Sequence, residues 1–187
     1  YFRAYQDLRR TPRATVPNWG STGMENGAFL GRGEPLALSA DSQGNIWVAD
    51  VGNNRVQRVT PAGTSDLVLG GKKRAIVDTW FGDEGAPYAS GSPTGTEPGL
   101  FEQPVHVAVG NYDIVMVIDS SLRVQTFDAE GAPKKQWTLD TPWRPSPGNG
   151  NGTPLITWLD DDFYILIRDE VFIYTAEGEL KNRYTLE

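Results

Sequence analysis

Between Pro35 and Gly63 the chain reads PLALSADSQGNIWVADVGNNRVQRVTPAG, and the spacing of its apolar positions is that of extended strands. Leu36, Leu38 and Ala40 alternate with Ala37 and Ser39, while Ile46, Trp47, Val48 and Ala49 form a short run rich in β-formers. Between them Asp41-Ser42-Gln43-Gly44-Asn45 has the composition of a turn. Gly52-Asn53-Asn54 supplies a second turn from residues that reach positive φ at low cost. Thr60-Pro61-Ala62-Gly63 closes a third strand and Leu67-Val68-Leu69 offers a fourth. The predicted unit is a four-stranded antiparallel meander.

The unit returns twice. Pro104 to Gly131 reads PVHVAVGNYDIVMVIDSSLRVQTFDAEG, and Pro154 to Gly178 reads PLITWLDDDFYILIRDEVFIYTAEG. Pro35, Pro104 and Pro154 are each followed 15 residues later by an aspartate: Asp50, Asp119 and Asp169. Val56, Val124 and Val171 are each followed 7 residues later by a glycine: Gly63, Gly131 and Gly178. Two spacings kept in three copies define an internal repeat, which outweighs any single local propensity. The repeats place blades at about 35–69, 104–139 and 154–187, with long connectors at 70–103 and 140–153.

Asp50 and Arg55 flank the second turn of the first copy, as Asp119 and Arg123 flank it in the second. Each carboxylate can accept turn amides and pair with the guanidinium across the hairpin, so both pairs are expected to brace hairpins. In the third copy Glu170 stands where the arginine should be. A tight Asp169-Glu170 turn without that pair is expected there.

On these residues the chain resembles the NHL-repeat family of β-propeller blades. The first copy carries Gly44, Asn45, Ile46, Val48, Ala49, Asp50, Asn53, Arg55, Val56 and Gln57 of the family pattern, and the second carries Phe101, Pro104, Val107, Ala108 and Val109. The third follows by spacing. Trp80-Phe81-Gly82 through Gly99-Leu100-Phe101 is similar to the family's glycine-rich linker between blades, with a fainter version from Trp19-Gly20 to Phe29. The resemblance spans residues 18–187 and implies an all-β fold of four-stranded blades. It also implies an incomplete ring, since such propellers commonly have six blades and about three are visible here.

Composition narrows the chemistry. Seventeen Lys and Arg against 24 Asp and Glu leave a net charge of −7, whereas a nucleic-acid surface depends on clustered cations. The basic face that RNA-binding members of the family use has no counterpart, and Lys72-Lys73-Arg74 reads as a solvated loop. No nucleic-acid partner is expected. The absence of cysteine excludes disulfides and thiolate metal sites.

Residues 1–17 form a segment of different character, YFRAYQDLRRTPRATVP, in which Arg3, Arg9, Arg10 and Arg13 face a lone Asp7. It reads as a short helix or tail leading into the propeller, or as a juxtamembrane segment. Tyr1 and Phe2 beside Arg3 suit the place where a span leaves the bilayer, and any such span would lie upstream of Tyr1. The expected setting is accordingly extracytoplasmic or membrane-attached.

Single candidates elsewhere are few. His106, the only histidine, follows Pro104 where the family often has glycine near the central channel, and reads as a hydrogen-bonding side chain. Trp143 lies between prolines in the second connector, positioned to plug a gap between blades or to dock on a partner. Asn151-Gly152-Thr153 is a glycosylation sequon. Asp160-Asp161-Asp162 falls at a turn and lacks the spaced ligands of a calcium loop.

Related propellers include metal-dependent amidating lyases, streptogramin lyases and lactone hydrolases, whose centres use channel-facing His or carboxylate groups. One histidine and no convergent carboxylates give no such centre here, so no catalytic residue, metal or cofactor is assigned. The function expected is a non-catalytic scaffold segment whose blade faces and edges are covered by protein partners, within a larger and membrane-attached assembly. Part of a lyase- or lactonase-type enzyme, or an extracytoplasmic ligand sensor, are the alternatives.

Overall fold

The structure is a computed structural model that describes residues 21–22, 26–30, 36–70, 95–142 and 153–186. Tyr1, Phe2, Arg3 and Trp143 lie outside these residues, as do the 1–17 segment, the Lys72-Lys73-Arg74 run and most of the sequon. Two short strands, β1 (Ser21–Thr22) and β2 (Ala28–Phe29), pair with each other in parallel. Blade I then contains β3 (Leu38–Ala40), β4 (Ile46–Asp50), β5 (Arg55–Val59) and β6 (Ser65–Gly70). Blade II contains β7 (Pro104–Val109), β8 (Val115–Asp119), β9 (Arg123–Phe127) and β10 (Pro133–Thr138). Blade III contains β11 (Leu155–Leu159), β12 (Asp162–Ile167), β13 (Glu170–Thr175) and β14 (Leu180–Thr185). Each blade is an antiparallel meander in sequence order, and no strand crosses from one sheet to another.

The repeated glycine closes the third hairpin of every blade. Gly63, Gly131 and Gly178 have φ of +81°, +85° and +76°, and each N–H donates to the carbonyl three residues back: Thr60, Asp128 or Thr175. A register shift follows in each pair, at Arg58/Val59, Pro133/Lys135 and Ile173/Tyr174. This is the turn-plus-bulge connection that needs a left-handed residue at its end. The sequence spacing is therefore the imprint of one turn geometry used three times.

Other turns vary. In blade I the Asp41 carboxylate accepts hydrogen bonds from the Gln43 and Asn45 amides, the Asn45 side chain and the Trp47 indole, which fixes the β3–β4 loop. In blade III the two residues between Leu159 and Asp162 do the same job alone, Asp160 at φ +49° and Asp161 at φ +70°. The acidic run is thus a left-handed two-residue hairpin, with Asp162 already in β12 and paired to Lys181 at 2.5 Å. The second hairpin of blade III differs by one residue from the expected Asp169-Glu170 turn. Ile167 pairs with Glu170, so the turn is Arg168-Asp169, with Arg168 at φ +54°.

Side chains alternate across each sheet, and the blades bury their facing sides in two joints. Between blades I and II lie Trp47, Ala49, Val56 and Leu69 on one side and Val107, Val115, Val117 and Phe127 on the other, with Phe101 between the sheets. Between II and III lie Met116, Ile118 and Val124 against Ile156, Phe163, Ile165 and Phe172. The first strands sit together, β7 touching both β3 and β11, and the sheets fan outward from them to the exposed β10 and β14. First-hairpin turns are laced across the joints. Asp113 accepts from the Ser42 amide and hydroxyl, both at 2.7 Å, and Asn111 donates to Asp161. Three blades fanned about their inner strands make an open arc of a β-propeller.

Candidate functional site

Both predicted charge pairs lie at the end of the second strand, and both are buried. Arg55 Nε lies 2.8 Å from Asp50 Oδ2 with both side chains fully inaccessible, and Arg123 Nη2 lies 2.7 Å from Asp119 Oδ2 with 7% and 0% exposure. Each pair does more than brace its hairpin. Arg55 Nη2 and Gln57 Nε2 both donate to the Ala28 carbonyl, at 2.9 and 2.8 Å, while Gln57 Oε1 accepts the Gly27 amide at 2.9 Å and Asp50 Oδ1 the Leu30 amide at 2.7 Å. In blade II, Arg123 Nη2 and Gln125 Nε2 both donate to the Leu100 carbonyl at 2.7 Å. Gln125 Oε1 accepts the Gly99 amide at 2.8 Å, and Asp119 Oδ2 the Glu102 amide at 3.1 Å.

The two arrangements share the same contacts from Asp, Arg and Gln to the entering peptide. An Asp, an Arg and a Gln on neighbouring strands form a latch that grips the peptide entering the blade, and the grip seats Phe29 or Phe101 against the sheet. A buried ion pair repays its desolvation best when its remaining donors and acceptors find partners, and here the linker carbonyls take Arg55 Nη2 and both Nη atoms of Arg123. The latch was only half legible in the sequence. The Asp and Arg stand out as a charge pair, but the glutamine two residues after the Arg and the Gly-x-Phe of each linker carry signal only when both copies are compared.

Blade III has no such latch. Its Glu170, at the place of Arg55 and Arg123, receives the Thr141 hydroxyl and the Arg183 guanidinium, and Arg183 lies over the Phe172 ring at 4.9 Å. These bonds hold the Glu170 carboxyl below its ordinary range, first through Thr141 and then through Arg183. The charge has moved from the β12–β13 hairpin to the β13–β14 pair.

His106 lies on β7, the inner strand of blade II, half-buried against β11. Its Nδ1 faces the Ile156 amide at 3.4 Å, and burial pushes its pKa below the ordinary histidine value. As the acceptor of one backbone N–H, the ring is part of the joint between blades II and III. Among the described residues no three His, Asp or Glu side chains converge at metal-binding distance. None of the described helical turns is long and apolar enough to cross a membrane.

Exposed apolar side chains include Tyr112 in the first turn of blade II and several on the two outward sheets. Leu38 of β3 is 63% exposed, while Leu155, Leu159, Leu180 and Tyr184 of blade III are also exposed. On blade I's outward side Phe29, Val48 and Val59 form a small buried cluster with Leu36 and Ile46 packed against it. On blade III, Leu155, Leu166, Val171 and Tyr184 are in register across all four strands and face away from blade II.

Comparison with known proteins agrees with this architecture. The NHL repeat profile matches residues 33–59, the heart of blade I. No curated protein sequence matches the chain. Similar solved structures include apo AztD from Citrobacter koseri, with a TM-score of 0.52 at 13% identity over 82% of this chain and 34% of that one. They also include U3-55K, at 0.50 and 12% over 83% and 41%, and a streptogramin B lyase, at 0.50 and 16% over 81% and 40%. At these identities the likeness is one of fold. This chain spans well under half the length of each of them.

Proposed function

We propose, for a chain built of NHL-type β-propeller blades, that it is a non-catalytic segment whose uncovered blade faces bind protein within a larger assembly. The observation that carries this reading is the outward side of blade III, where Leu155, Leu166, Val171 and Tyr184 make an apolar band across a four-stranded sheet. Leu155 and Tyr184 at its two ends are 50% and 42% exposed, and an apolar band with exposed ends is the kind of surface that protein partners cover. The polar groups point the same way. The buried Asp, Arg and Gln side chains are spent on holding the linkers, and His106 is spent on the joint between blades II and III. The net charge of −7 favours a protein partner over a polyanion.

The test is the native size of the chain in extracts of the cells that make it. Wild type should run well above its own mass, and the double substitution Leu155→Asp, Tyr184→Asp should release it. Equal elution of both forms at the mass of a single chain overturns the reading, as does stoichiometric metal accompanied by turnover of a lactone or cyclic peptide.

A further inference from the structure

The linker gripped by blade I carries a reactive dipeptide that its counterpart lacks. Asn26-Gly27 is the one asparagine-glycine pair among the described residues, whereas the matching place in blade II is Pro98-Gly99. Asparagine before glycine is prone to imide formation, because glycine has no side chain to hinder attack by its own backbone nitrogen. The Gly27 nitrogen gives up its proton and forms a bond to Asn26 Cγ, and the side-chain amide leaves with that proton as ammonia. Water then opens the imide to aspartate or isoaspartate, with no change of oxidation state.

The structure supplies one requirement of this chemistry and withholds another. Asn26 is exposed, so water can reach it and ammonia can leave. Gly27 is buried, and its N–H donates to Gln57 Oε1 at 2.9 Å. That acceptor is itself fixed. Gln57 is fully buried, its Nε2 donates to the Ala28 carbonyl at 2.8 Å and to Asp50 Oδ2 at 3.2 Å, and the Ser65 hydroxyl donates to its Oε1 at 2.9 Å. The proton that must leave is the one Gln57 holds, so attack waits for a local opening of the latch.

We infer that Asn26 is a spontaneous isoaspartate site gated by the blade I latch: it persists while Gln57 holds Gly27 and converts when the latch opens. Reclosing does not reverse the change. Isoaspartate routes the main chain through the former side chain and lengthens it by a methylene directly before the gripped residues. The Gly27 amide, the Ala28 carbonyl and the Leu30 amide then no longer meet Gln57, Arg55 and Asp50 together. Phe29 loses its seat on the outward side of blade I, and a passing opening becomes a permanent loosening of the linker.

The purified full chain and a synthetic peptide of residues 21–30, incubated side by side at neutral pH, test this by tandem mass spectrometry with enzymatic isoaspartyl methylation. Conversion at Asn26 should be slower in the folded chain than in the peptide by on the order of tenfold, the factor that one buried hydrogen bond can supply. Gln57→Leu, with unchanged circular dichroism, should bring the rate close to that of the peptide. Wild type in urea below its unfolding transition needs no variant to fold, and there conversion should rise in step with hydrogen exchange at the Gly27 amide. The isoaspartate form, separated by ion exchange, should exchange its Leu30 amide faster than the parent chain. Equal rates in chain and peptide, a folded Gln57→Leu as slow as wild type, or conversion that stays constant while Gly27 exchange quickens each overturns the gate. A peptide that yields no isoaspartate at Asn26 overturns the site, and unchanged Leu30 exchange after conversion overturns the loosening.

Discussion

Asp50 receives hydrogen bonds from Arg55, Asn53, Gln57 and the Leu30 amide, and the three side-chain donors are buried. Removing the carboxylate strands a buried guanidinium and frees the linker. Asp50→Ala should therefore cost about 3–5 kcal/mol and lower the melting temperature by on the order of 10 °C. Asp66→Ala, which breaks the solvent-exposed pair with Arg58 at 2.9 Å, should cost at most about 1 kcal/mol. Thermal melts of the two variants side by side check the contrast. His106 gives a pH dependence. Burial lowers its folded pKa below the ordinary 6.5, so between the two values the unfolded chain holds a proton that the folded chain does not. Stability is full above about pH 6.5 and falls as the pH drops through that window towards the folded value. Urea midpoints from pH 7.5 to 5 should show the fall, and His106→Gln should flatten it; equal slopes for the two proteins would remove His106 as the cause.

At the scale of the element, the joint depends on what the linker inserts. Phe101 packs against Phe127 with ring centroids 5.8 Å apart, and it lies 1% exposed between two sheets. Phe101→Ala should cost about 3–5 kcal/mol, read as a fall in urea midpoint. Gly131 serves two ends at once. Its φ of +85° closes the β9–β10 turn, and a Cβ there would meet Leu69 of blade I at 2.7 Å, so Gly131→Ala should destabilise by about 1–3 kcal/mol. The strand meander and this glycine were legible because alternation and turn chemistry are local. The frame of the Arg168-Asp169 turn was not. Three adjacent residues, Arg168, Asp169 and Glu170, can all sit in a polar turn, and only the pairing of Ile167 with Glu170 chooses between frames.

Across the whole molecule, stability should be graded rather than uniform. Blade II is packed on both faces, whereas blade III has one open face, no Asp-Arg-Gln latch and a β14 exposed along its full length. In an array of stacked repeats each unit draws its stability from its neighbours. Hydrogen exchange should accordingly be slowest in β8 and β9 and fastest in β14, and protection of β11 to β14 equal to that of blade II would contradict this grading.

Three blades, their four-strand order and the glycine repeated in each were determined by the sequence alone, and the left-handed conformation of that glycine came with the structure. All of these rest on contacts between residues near one another in the chain, repeated often enough to stand out. The tertiary structure decided the rest: that Gln57 and Gln125 belong with the Asp-Arg pairs, that the pairs grip incoming linkers, and that blade III has moved its charge to Arg183. The linker grips join side chains to backbone groups 20 to 30 residues away in the chain, and hydrophobic periodicity carries no record of which sheet lies opposite.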